Sequence, residues 1–184
     1  MKKRGLTGLE TTETCFAASC DIMTPEANVS AYTYRQYAGV MRHWATMDRR
    51  GTAHKNAVLK ELYGLIASDL GGHAIGDWTF AYAHTARDLA GVLSRLRERG
   101  LRIIIDIVQR STEVHSVGLK PLDGGQYLVK GYGIPAPLWK KPVTATDIHP
   151  FLYESGYNTN PCYPFVGSNV VGLPRPQRKL RTRD

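Results

Sequence analysis

Long apolar runs are missing from this chain of 184 residues. Nothing in it approaches the roughly 20 apolar residues that a membrane-spanning helix needs. The opening stretch MKKRGLTGLETTETC is basic, but Glu10 and Glu13 interrupt any apolar signal core, so a cytoplasmic protein is expected. Cysteine is scarce: Cys15, Cys20 and Cys162 are odd in number and show no CxxC spacing. That excludes a disulfide framework and a zinc module of known spacing, and it suits a reducing compartment. A phosphate-cradling glycine loop is also lacking, since Gly71-Gly72 and Gly124-Gly125 read as turn glycines. The six histidines are scattered without ligand spacing, and no serine or cysteine sits in a recognisable nucleophile elbow. Together these absences lead to the expectation of a non-enzymatic protein that needs no cofactor or metal.

What the chain has in excess is positive charge. Its 24 lysines and arginines face 16 acids, for a formal charge of +8. Such a balance favours polyanionic partners. The bases are clustered. Residues 30–60 hold Arg35, Arg42, Arg49, Arg50, Lys55 and Lys60 against Asp48, and residues 85–102 hold Arg87, Arg95, Arg97, Arg99 and Arg102 against Asp88 and Glu98.

Residues 1–23 show no firm period and read as a loosely ordered arm. Thr24-Pro25-Glu26 supplies a hydroxyl cap, a proline and an acid in the order that starts a helix. Tyr34, Tyr37, Met41 and Trp44 then recur at steps of three and four, as on one helix face, which would either close the core or form a homodimer interface. Arg49-Arg50-Gly51 breaks that pattern. A second helix begins at Thr52 and ends at Gly71-Gly72. The segment HAIGDWTFAYAHT is undecided between strand and short helix.

A third helix places Ala86, Leu89, Val92, Leu93 and Leu96 on one side and Arg87, Gly91, Ser94 and Glu98 on the other. Gly100 is a left-handed stop, residues 101–108 form a strand, residues 109–122 form a polar tip, and residues 126–132 return as a second strand. Beyond residue 135 prolines recur every few positions among aromatics, which argues against a long helix or a central strand and for an irregular extension over residues 135–184. Its last residues, RPQRKLRTRD, read as a mobile basic tail.

The stretch LSRLRERGL, with Leu93, Leu96, Gly100 and Leu101, resembles the end of a recognition helix in winged helix-turn-helix domains. More narrowly, residues 52–133 are similar to small helix-turn-helix proteins of phages and other mobile elements, with Arg97, Gly100, Ile103, Ile107, Tyr127 and Val129 in the corresponding places. The segment GDWTFAYA before Thr85 departs from that pattern, because it carries no clear second helix. The resemblance implies an α+β fold: a winged-helix-like core of about three helices with a β-hairpin wing, spanning residues 24–134. It implies a DNA-binding regulatory or accessory protein whose partner is double-stranded DNA. Carried onto this chain, Thr85, Arg87, Gly91, Ser94, Arg95 and Arg99 would meet base edges or phosphates, and Arg110, His115 and Lys120 would act from the wing. An alternative is an adaptor or inhibitor that binds a host protein through the proline- and aromatic-rich extension. A third reading is a metal-dependent nuclease using Asp106, Asp123 and Lys130, although Leu128 stands where that pattern wants a second acid.

Overall fold

In a computed structural model, residues 14–26, 28–46, 52–73, 75–110, 113–153 and 169–175 are described. The expectations for residues 1–13, for Arg49-Arg50-Gly51 and for the basic tail lie outside them, as do the side chains of Trp44 and Arg110.

A five-stranded antiparallel sheet organises these residues. Three helices precede it: α1 (Cys15–Met23), α2 (Ala31–Thr46) and α3 (Thr52–Asp69). The first strand, β1 (Thr79–Ala81), leads into α4 (Ala86–Glu98) and then into the long pair β2 (Arg102–Arg110) and β3 (Glu113–Pro121). After β4 (Tyr127–Lys130) come two single-turn helices, α5 (Ala136–Trp139) and α6 (Ala145–Ile148), and finally β5 (Val170–Leu173). The strands lie in the order β1-β5-β2-β3-β4.

Alternation along β2 divides the core. Ile103, Ile105 and Ile107 pack with Leu89, Leu93 and Leu96 of α4 and with Leu138 and Ile148 of α5 and α6, whereas Ile104 packs under α1 to α3. Both faces of the sheet are therefore covered, and this is why β2 carries three consecutive isoleucines instead of an alternating pattern. On the α1 side, Phe16 is the centre of an aromatic group, with its ring 4.8 Å from Tyr63 and 6.3 Å from Trp78. Rings of this size dominate core burial, at roughly 2–3 kcal/mol each, and they anchor α1 on the sheet.

Several expectations change. The polar tip proposed for residues 109–122 is β3, an interior strand, because Val117 and Leu119 face Ile105 and Ile103 across the pair. A sheet of five strands, not a wing hairpin, is what β2 and β3 build. Residues 15–23 form a buried helix in place of a loose arm. Thr24 does not start a helix: its hydroxyl donates to Cys20 O at the end of α1. The start of α2 is held by Ser30, whose Oγ accepts the Thr33 N–H at 3.1 Å, and by Asp69, which accepts the Ser30 N–H at 2.9 Å. Tyr34 and Tyr37 are core residues, at 2% and 3% exposure, so they close the core and do not offer a dimer face. The proline-rich region also yields an interior strand, β5, in the proline-free window before Pro174.

Candidate functional site

The first helix brings its N-terminus to the sheet at one point. Cys15 is the first residue of α1, and the Thr14 side chain makes no capping hydrogen bond to it. The first backbone bond of the helix runs from Ala18 N–H to Thr14 O, at 2.9 Å. The N–H groups of Cys15, Phe16 and Ala17 therefore precede the helical ladder, and a helix start of this kind carries partial positive charge.

The Cys15 sulfur accepts the backbone N–H of Ser116 at 3.4 Å, across 101 positions of sequence. Phe16 N–H and the Ser116 hydroxyl also act to favour its thiolate. Against them, burial is the largest effect and the Asp106 carboxylate adds to it, so the resting thiol is pushed above its ordinary pKa. Cys15 rests protonated.

Ser116 follows His115, a buried side chain at 6% exposure. His115 pairs with Ile107, so strand alternation turns its side chain to the α4 face of the sheet, opposite Cys15 and Ser116. The His115 Nε2 bonds to the Tyr132 carbonyl. A carbonyl can only accept, so Nε2 carries the proton and Nδ1 is the basic nitrogen of the ring.

Asp106 completes the cluster. Burial pushes its carboxyl up to about 6, while the Ser116 hydroxyl, donating to Oδ1 at 2.6 Å, acts the other way. Tyr37 and Tyr63, also buried and raised by burial, feel the same carboxylate. Beside it Asn169, whose backbone carbonyl accepts the Asp106 N–H at 2.9 Å, has a buried Oδ1 with no hydrogen-bond partner among the described residues.

The residues expected to read DNA are placed differently. Thr85 caps α4 through a reciprocal capping box with Asp88, each bond 3.0 Å long. Ser94 Oγ donates to Glu98 at 3.0 Å, and Arg99 donates to Thr79 Oγ1 at 2.8 Å. Arg87 and Arg95 are exposed, and the Arg95 guanidinium crosses the half-buried Gly91. These residues share α4, whereas Lys120 lies beyond the sheet, beside Met23 of α1. The helix and the supposed wing do not converge. Of the nuclease candidates, Asp106 is on the α1 side while Asp123 pairs with Arg97 of α4 at 3.9 Å. No group of three or more potential metal-ligating side chains occurs among the described residues.

Cys15, Ser116 and Asn169 were missed as a group by sequence reading. A nucleophile elbow is a contiguous strand-turn-helix signature, and this cluster is assembled from a helix start, two inner strands and the approach to β5. The signal available was a cysteine preceding a helix pattern. Among the described residues no helix is long and apolar enough to cross a membrane. No family model matches the chain, nor does any curated protein or solved structure.

Proposed function

We propose that the protein binds double-stranded DNA as a regulatory or accessory factor, through the basic face of α4. The observation that carries this reading is the exposure of Arg87, Arg95, Arg97 and Arg99 along one helix of a chain with formal charge +8. Exposed cations in such a row neutralise successive phosphates and release their counterions, which is the sequence-independent part of duplex binding.

The test is fluorescence anisotropy of a labelled duplex. Affinity should fall steeply with salt and be lost by an Arg87→Ala/Arg95→Ala variant. Undiminished binding by that variant would overturn the reading.

A further inference from the structure

At the far end of α1 from Cys15 lies a cavity of about 560 Å³, a volume suited to a small molecule. Four cations border it: Arg102, Lys120, Lys130 and Arg175. One acid, Glu26, stands beside them. It is bound by Arg102, which also donates to the Met23 carbonyl, and it feels Arg175. Arg102 is thereby neutralised within the fold, and the two lysines have no ion-pair partner among the described residues.

Register explains why the lysines stand together. Lys130 pairs with Gly118, and Lys120 pairs with Leu128 on the same two strands, so both project on one face in diagonal positions about 7–8 Å apart. Like charges this close repel, and an anion between them relieves the repulsion. The floor beneath them is apolar. Gly118 has no side chain, and Met23 lies in the space its Cβ would fill, with Leu101 closing the side.

We infer that this cavity binds a small anionic amphiphile, with a phosphate or carboxylate head between Lys120 and Lys130 and an apolar chain against Met23 and Leu101. The cations supply the head-group contacts, and the glycine lets Met23 seat against the sheet as the apolar floor for the chain. This site is separate from the Cys15 cluster and does not depend on DNA binding by α4.

Isothermal titration with octyl phosphate below its micelle concentration, with inorganic phosphate and with octyl glucoside separates the contributions. Octyl phosphate should bind at least tenfold more tightly than either of the others, and Lys120→Gln/Lys130→Gln should lose at least tenfold. Both lysines are exposed, so the variant should keep the wild-type melting temperature; if it does not, Lys130→Gln alone serves. In the wild type the Met23 methyl resonance should shift with octyl phosphate and not with inorganic phosphate. Equal binding of octyl glucoside, equal binding of inorganic phosphate, an unshifted Met23 methyl or undiminished binding by a folded lysine variant would each overturn the inference.

Discussion

Ser116 Oγ donates to Asp106 Oδ1 at 2.6 Å, and by that bond a strand residue that also supports the Cys15 sulfur holds a buried carboxyl in place. The Ser116 carbonyl is occupied as well, accepting from Ser19 Oγ at 2.8 Å. One residue thus ties α1, β2 and β3 together.

The Asp106 carboxyl makes stability depend on pH. Its pKa in the fold is about 6 against an ordinary 3.8, so between these values the native state holds a proton that the unfolded chain has released. The contribution is therefore fully favourable below pH 4 and is lost as pH rises through 6. At about 1.4 kcal/mol per unit it amounts to roughly 3 kcal/mol. Cys15, Tyr37, Tyr63 and Tyr82 face this carboxyl, but their own titration lies at higher pH. Urea unfolding at pH 4.5 and 7.5 should show the wild type losing roughly 1–3 kcal/mol relative to Asp106→Asn across that interval. Parallel curves would mean that the carboxyl is hydrated.

The same charge restrains the thiol. In a Cys162→Ser background, iodoacetamide should alkylate Cys15 slowly at pH 7.5, and Asp106→Asn should speed the reaction about three- to tenfold. At pH 5, where Asp106 is protonated in the native state, the two proteins should react alike. A rate unaffected by Asp106 at either pH would separate the carboxyl from the sulfur.

Thr85 is a cap. Thr85→Ala should cost about 1 kcal/mol and lower the melting temperature by about 2–4 °C, with the loss read by thermal unfolding in the absence of any nucleic acid. An unchanged melting temperature would show that the capping box adds nothing to α4.

Gly172 lies beneath the turn that joins α4 to β2. A Cβ there would stand 2.8 Å from Leu96 Cδ2 and 3.0 Å from Leu101 Cδ1, both apolar side chains held by the core. Gly172→Ala should cost about 1–3 kcal/mol in urea unfolding through overpacking. A neutral result would mean that the leucines have room to retreat.

Legibility in the sequence followed locality. The third predicted helix is α4, and Leu89, Val92, Leu93 and Leu96 are buried as their spacing requires, because a helix stripe repeats within a few residues. Gly100, at φ +68°, ends it by the left-handed turn expected of a glycine there. The reading of β3 failed because Glu113, His115, Ser116 and Lys120 made a strand appear to be a polar tip. The burial of His115 and Ser116 on the two covered faces of the sheet is a long-range fact that neither composition nor periodicity records. Polar residues at an interior site erase the alternation that strands are recognised by, and so the most polar part of β3 was the least legible.

The insertion of β5 between β1 and β2 has a consequence for synthesis and for dissection. The earlier part of the sheet leaves a gap one strand wide, with β1 having no neighbour and β2 an open edge, until Val170, Val171 and Leu173 enter it. During translation β4 ends 40 residues and β2 ends 60 residues before Val170, and the isoleucines of β2 must wait for their missing neighbour with one flank unpaired. A chain stopped at residue 134 would keep that open edge permanently and should be recovered as aggregate, since what reads as an appendage is the keystone of the sheet.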